Sequence, residues 1–247
     1  MATAPDAPVI EITNLTRRFG DKTALRSVSL TLPAGGVYGL VGANGAGKTT
    51  LIRHILGLLR AEEGSVRIFG RNPVDDPVGV LARIGYLSEE MDLPHWMRVR
   101  ELLSYTRAFH PGWSDDLARE LLETFAVDAN ARIRTLSKGQ KARVGLLCAL
   151  AYRPPLLLLD EPSSGLDPIV RRDILAAIMR TIGDEGRTVL FSSHLLEEVE
   201  QVADHVTMIV EGSIVLSAPL AEIKRSHANA SLDQIFVQRA ARAPATV

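Results

Sequence analysis

A chain of 247 residues is long enough for one large domain or two small ones and can bury a sizeable core. Lys and Arg number 28 against 29 Asp and Glu, and this near balance excludes the strongly basic profile of a nucleic-acid binder. Cys148 is the single cysteine, which excludes an internal disulfide and suits a reducing cytoplasm.

Met1 to Pro8 lacks the basic start and apolar stretch of a secretion signal and reads as a flexible tail. Val9 to Ile12 and Ser27 to Leu32 alternate apolar with polar residues in part, as half-buried antiparallel strands do. Gly36 to Val41 is an apolar run that feeds a glycine loop. Helical periodicity follows through Leu51, Ile52, Ile55, Leu56 and Leu59. From about Glu90 to Ala151 the pattern reads as helices only. Ser114 can cap one helix, with Leu117, Leu121, Leu122 and Phe125 on one face. Ser137 can cap another, with Val144, Leu147, Cys148 and Ala151 on its face.

Leu156 to Leu159 and Thr188 to Phe191 are short apolar runs without alternation, suited to buried parallel strands. Between them, Asp167-Pro168 supplies an N-cap and a first-turn proline, and Val170, Ile174 and Ile178 recur every fourth residue. His205 to Ser217 reads as a hairpin turning at Glu211-Gly212. Pro219 breaks the chain after it, Leu220 to Gln238 adds one or two short helices, and Ala241 to Val247 reads as a second tail. The longest apolar stretch, Val144 to Tyr152, falls well short of the roughly 20 residues a membrane span needs. The chain therefore reads as soluble on its own, with any membrane link made through a partner.

Three motifs carry chemistry. Gly42-Ala43-Asn44-Gly45-Ala46-Gly47-Lys48-Thr49 fits the phosphate-loop pattern G-x-x-x-x-G-K-[ST] between an apolar strand and a helix. Its glycines let backbone N–H groups turn inward on phosphates, and the helix that follows aims its positive end at the same place. Lys48 is expected to reach the β- and γ-phosphates, the Thr49 hydroxyl to bind Mg²⁺, and Thr50 to complete the loop's contacts. The second motif is Asp160-Glu161 at the end of the Leu156 to Leu159 strand, running into Pro162-Ser163-Ser164-Gly165-Leu166-Asp167. An acid pair at a strand end is commonly a solvated turn, and only this context makes it more. The third is Leu136-Ser137-Lys138-Gly139-Gln140 shortly before that strand, where Ser137 caps a helix whose first N–H groups and dipole form an anion site.

On these motifs the chain resembles the ATP-binding subunit of an ABC (ATP-binding cassette) transporter, from about Val9 to about Ala218. The resemblance implies an α/β fold: a P-loop NTPase core with a parallel sheet, an N-terminal antiparallel β part and an inserted helical subdomain. The ATPase domain would span 9–218 with the insert at about 90–151, followed by a short helical extension at 219–240. It also implies that Asp160 holds Mg²⁺ through water and that Glu161 is the general base for the attacking water. His194, after the Thr188 to Phe191 strand, would contact the γ-phosphate and position that water, although a lone histidine there is usually a surface or cap residue. Two cassettes would pair head to tail, so that Ser137, Lys138, Gly139 and Gln140 close over the partner's ATP. Phe19 stands where relatives carry an aromatic that stacks on adenine, and it could equally be core packing.

Two positions depart from the family's pattern. Lys138 replaces the first of two glycines, adding positive charge near the phosphate. Glu89 stands where relatives usually carry a Gln that ligates Mg²⁺ and senses the membrane subunit. A carboxylate also binds Mg²⁺ but, when ionised, cannot donate a hydrogen bond. Glu90 takes that place if the register slips, and an exposed loop acid is the bland alternative. Trp96 and Trp113, with Met91, Leu93 and Met97, read as insert core or as part of a groove for a permease helix.

These features imply an ATPase that uses ATP and Mg²⁺, pairs with a second copy of itself and drives a separate transmembrane permease, with no nucleic-acid partner. Its place would be cytoplasmic, peripheral on the inner face of the cell membrane through the permease. The region from Leu87 to Tyr105 resembles bacterial cassettes paired with ABC-2-type export permeases. The alternative is a soluble ABC ATPase acting on ribosomes or DNA, but such relatives carry two cassettes or long coiled coils. A P-loop kinase or GTPase leaves the Leu136 to Gln140 motif unexplained.

Overall fold

The computed structural model describes residues 8–183, 186–227 and 230–242. In chain order the elements are β1 (Ile10–Phe19), β2 (Lys22–Leu32), β3 (Gly36–Val41), α1 (Lys48–Ile55), β4 (Glu63–Ile68), α2 (Pro77–Leu81) and β5 (Ile84–Leu87). Helices α3 (Val99–Phe109), α4 (Asp115–Thr124) and α5 (Lys138–Leu150) come next, then β6 (Leu156–Leu159), α6 (Pro168–Gly183), β7 (Thr188–Ser193) and α7 (Leu196–Val202). The chain closes with β8 (His205–Val210), β9 (Ser213–Pro219), α8 (Leu220–Ser226) and α9 (Leu232–Arg242).

One sheet runs β5-β6-β7-β3-β8-β9, with β9 antiparallel to β8 and every other pairing parallel. Strict alternation splits its side chains between two cores. Leu157, Leu159, Val189 and Phe191 face one side, and Leu156, Leu158 and Leu190 face the other. Both faces are covered, which is why β6 and β7 read as unbroken apolar runs. Register pairs Leu159 with Phe191 and Val41 with Ser193, so the carboxyl ends of β3, β6 and β7 meet at one edge. Ligand sites of parallel sheets form outside that edge.

A smaller antiparallel sheet, β2-β1-β4, covers one face together with α1. Its first strand is longer than the expected Val9 to Ile12. Asn14 adopts a positive φ of 49°, and pairing with β2 shifts register between Ile12 and Leu15. That bulge resets the alternation, so Leu15 faces inward again and the strand continues to Phe19.

The other face carries the helices. Ser114 Oγ accepts from Leu117 N at 3.2 Å, and Leu121 and Phe125 are buried as expected. Helix α5 packs on β5, and the core beneath α3–α5 is continuous with that of the sheet. Asp167 Oδ1 caps α6 by accepting from Ile169 N and Val170 N, both at 3.0 Å. Ile223, Leu232 and Ile235 of α8 and α9 join the same core, and Leu232 N donates to Glu200 Oε1 on α7 at 2.7 Å. Ala241 and Arg242, expected to begin a tail, are the last residues of α9, while 1–7 and 243–247 lie outside the described residues. Trp96 is 76 % exposed and is not core, whereas Met91 is buried. No helix among the described residues is long and apolar enough to cross a membrane.

Candidate active site

The glycine loop leaves β3 and enters α1 at Gly47, whose φ of 113° is open to glycine and closed to other residues. A Cβ there would also lie 2.7 Å from the Ala24 carbonyl. Gly47 offers no side-chain cap, so the first N–H groups of α1 remain available to an anion. Inside the loop, Lys48 Nζ donates to the carbonyls of Gly42 at 2.6 Å and Ala43 at 3.2 Å. It also stands 3.0 Å from Glu161 Oε1. Gly42, Ala43 and the buried Ala46 thus form the back of the loop. Asn44, Gly45, Gly47, Lys48, Thr49 and Thr50 line a cavity of about 300 Å³.

Phe19, Glu89 and Glu161 complete the cavity wall. Phe19 is 45 % exposed, which removes the core-packing reading, and the Arg17 guanidinium lies 4.6 Å from its ring centre. Lys22 and Ala24, which the sequence did not single out, also line the cavity because the β1–β2 turn leans over it.

At the sheet's carboxyl edge, Ser192 bridges the two acids that follow β6. Its hydroxyl donates to Asp160 Oδ1 at 2.7 Å and accepts from Glu161 N at 2.9 Å. Glu161 holds a φ of 48°, a left-handed conformation costly for a residue with a Cβ. This turn swings its side chain back toward the loop. Glu161 Oε2 meets His194 Nδ1 at 2.7 Å. Oε1 is buried and ion-paired with Lys48 at 3.0 Å without hydrogen-bond alignment. A carboxylate that lines the cavity is an acceptor able to take a proton from water there. His194 is held by Glu161, yet it lines a second cavity, shared with Arg171 and Glu198, rather than the one at the phosphate loop.

Burial raises the Asp160 carboxyl above its ordinary value; hydrogen bonds from Ser192 and Thr49 lower it, the Glu161 charge raises it and the Lys48 charge lowers it. A cation at this point would reverse the balance and favour the carboxylate. Thr49 and Asp160 are hard oxygen donors in mutual contact, and no cluster of three metal-binding His, Cys, Asp or Glu residues occurs among the described residues. One hydroxyl and one carboxylate beside a phosphate loop fit Mg²⁺, which is bound by few protein groups plus phosphate oxygens. Glu89 lines the same cavity, whereas Glu90 does not.

The Leu136 to Gln140 motif lies elsewhere. Ser137 and Gln140 form a capping box at the start of α5: Ser137 Oγ accepts from Gln140 N at 3.2 Å, and Gln140 Oε1 accepts from Ser137 N at 3.0 Å. A Cβ on Gly139 would meet Val170 at 2.8 Å, so the glycine allows α5 to approach α6. None of Ser137, Lys138, Gly139 and Gln140 lines the cavity of the phosphate loop. Lys138 Nζ instead donates to the Ser164 carbonyl at 2.6 Å, and Ser164 Oγ reaches Glu89 Oε1 at 3.4 Å. The two residues that depart from the family pattern therefore meet the same residue of the Pro162 to Asp167 turn.

The sequence reading missed Ser192 as a bridge between acids, and it missed the cluster around Glu198. Glu198 is 3 % exposed and accepts from Ser163 Oγ at 2.6 Å and Ser193 Oγ at 3.2 Å. Nothing in the acidic run Glu197-Glu198-Val199-Glu200 separates the buried member from its solvated neighbours. Only the positions of Leu196, Val199 and Val202, which set the inward face of α7, hint at it.

The ABC transporter family model matches residues 25–164. Among curated relatives, an uncharacterized ABC transporter ATP-binding protein, YhaQ of Bacillus subtilis, is 39 % identical over 88 % of this chain and 74 % of its own. The ABC transporter ATP-binding protein NatA of the same organism is 36 % identical over 95 % of this chain and 99 % of its own. A solved ATP-binding subunit of an ABC transporter superposes with a TM-score of 0.85 at 28 % identity, covering 94 % of this chain and 99 % of that one. The chain belongs to the ABC transporter family, as one of its ATP-binding, ATP-hydrolysing subunits.

Proposed function

We propose that the subunit works as one half of a head-to-tail pair that ATP closes and hydrolysis reopens, and that this stroke drives export through a separate transmembrane permease. The observation that carries the reading is the separation of two anion sites. The cavity is lined by the phosphate loop, Glu89 and Glu161, with Asp160 behind it on Thr49, while the capped start of α5 lies off it. One chain therefore offers two separate half-sites, and a two-fold head-to-tail pair supplies both halves twice.

Within such a site the N–H groups at the start of α1 and Lys48 hold the β- and γ-phosphates. Phe19 offers a face for the adenine. Ser137 to Gln140 of the opposite copy bring a helix N-terminus to the γ-phosphate, and Lys138 adds a cation there. Mg²⁺ bound through Thr49, Asp160 and Glu89 supplies charge neutralisation at the phosphates. Glu161 Oε1 takes a proton from water as its oxygen attacks the γ-phosphorus and the bond to the β–γ bridging oxygen breaks. His194, on Glu161 Oε2, holds that carboxylate in place. Loss of the γ-phosphate then removes the contact between the copies.

The test is the mass of the full-length Glu161→Gln protein in solution with and without ATP and Mg²⁺. ATP is expected to convert it to a dimer. A protein that stays monomeric with ATP, alone and with its co-expressed membrane partner, would sink the pairing.

A further inference from the structure

We propose that Glu198 is a positioning residue for ATP hydrolysis: it fixes the main chain on both sides of the Glu161–His194 pair. The inference rests on the reading of Glu161 as the general base.

The Glu161–His194 contact joins the ends of two strands. Glu161 follows β6 and His194 follows β7. Neither position is intrinsically rigid, since Glu161 is in the left-handed region and His194 lies beyond the last paired residue of its strand. Consecutive serines of β7 point to opposite sides of it and serve two different acids. Ser192 holds Asp160 and the Glu161 N–H, and Ser193 holds Glu198. Glu198 Oε2 also accepts from Ser163, two residues beyond Glu161. A single carboxylate oxygen thus ties the residue just before His194 to the turn just after Glu161.

The anchor itself is firm. Leu196, Val199 and Val202 bury α7 on either side of Glu198. Arg171 Nε of α6 stands 3.0 Å from Glu198 Oε1, an ion pair without hydrogen-bond alignment that leaves Oε2 to the two hydroxyls. Glu198 does not line the phosphate-loop cavity, and its hydrogen bonds and ion pair go to Ser163, Ser193 and Arg171 rather than to Glu161 or His194, although it shares a second cavity wall with His194. Its hydrogen bonds therefore act on hydrolysis through the main chain that carries those two residues. Misplacing a reacting group by about 1 Å costs on the order of a hundredfold in rate, which sets the scale of what such a clamp protects.

The experiment uses the full chain and measures ATP affinity by titration with a fluorescent ATP analogue, alongside single-turnover hydrolysis. Glu198→Met keeps roughly the length and removes the acceptor, and Arg171, 35 % exposed, can turn its own charge to water. Affinity should stay within about threefold of the unaltered protein while the hydrolysis rate falls about tenfold to a hundredfold. Ser163→Ala combined with Ser193→Ala removes the same two hydrogen bonds without touching the acid and should reproduce that split, whether or not Glu198→Met folds. In a Glu161→Gln background, Glu198→Met should cost nothing further, because both act through one carboxylate. Rates within about twofold of the unaltered protein, affinity falling in step with rate, or full additivity with Glu161→Gln would each overturn the inference. Undiminished hydrolysis by Glu161→Gln alone would overturn the base reading and this inference together; undiminished hydrolysis by Glu198→Met and by the serine pair overturns the inference only.

Discussion

Lys48 Nζ and Glu161 Oε1 lie 3.0 Å apart, and each side chain is only 5 % exposed. The phosphate-loop cation and the acid proposed as base are thus partners in this structure. A triphosphate entering the loop must compete with that carboxylate for Lys48. Replacing Glu161 by Gln removes the competing charge and, with it, the proton acceptor. The Glu161→Gln protein should bind ATP at least as tightly as the unaltered protein and hydrolyse it at least about a hundredfold more slowly, the worth of a general base. Nucleotide titration and phosphate release measure the two effects separately, and near-normal turnover would remove Glu161 from that role.

Lys48→Ala acts on the other member of the pair. It removes a charge-assisted contact to phosphate, typically worth about 1.5–3 kcal/mol, so ATP affinity should fall about tenfold to a hundredfold or more. It also leaves the buried Glu161 carboxylate, and the Gly42 and Ala43 carbonyls, without the ammonium they share, and the melting temperature should drop as well. Unchanged affinity for ATP in the same titration would contradict the phosphate cradle.

Much of this site was legible because its residues are tied to local structure. The phosphate loop needs glycines and a helix start, and the acid pair must end an apolar strand; both leave marks in a short window. Asp167 and Ser137 likewise carry their caps within three residues. What stayed hidden depends on residues distant in sequence. Ser192 joins Asp160 to Glu161 only because β6 and β7 pair in register, and Glu198 is buried only because α7 lies across the end of β7. The meeting of Glu89 and Lys138 at Ser164 spans three separate segments, and no periodicity encodes it. Trp96 shows the opposite limit: a large aromatic among apolar neighbours reads equally as core or as groove, and only the structure, with Trp96 exposed, removes the core reading.

Asp160 trades stability for chemistry. Burial raises its carboxyl above the ordinary 3.8, so the folded chain binds this proton more tightly than the unfolded chain. Stability from this group is present at low pH and is lost as pH rises from the unfolded value through the raised folded one. At neutral pH the charged form is a cost. Asp160→Asn removes that cost while its side chain still bonds Ser192 and Thr49, so the melting temperature at pH 7 should rise, by roughly 2–4 °C for each kcal/mol. The gain should shrink as pH falls and the native carboxyl takes up its own proton. Mg²⁺-dependent hydrolysis should be lost in the same protein. A variant that is less stable at pH 7, or whose gain does not depend on pH, would show that the charge of Asp160 is compensated by other groups.

Glu89 tests how much the departure from glutamine matters. Its carboxylate is exposed, and its contact with Ser164 Oγ, at 3.4 Å, sits at the weak limit of a hydrogen bond. The amide oxygen of a glutamine can accept from the same hydroxyl and can face the same metal. Glu89→Gln should therefore leave the hydrolysis rate within a few-fold and stability within about 0.5 kcal/mol, as for most exposed substitutions. The one property expected to move is the Mg²⁺ concentration for half-maximal activity, which should rise, because one negative charge leaves the cavity wall. Titrating Mg²⁺ at fixed ATP in both proteins measures this directly. A rate abolished at every Mg²⁺ concentration would instead make the Glu89 charge part of the chemistry, with Lys138, on the other side of Ser164, as its counter-charge.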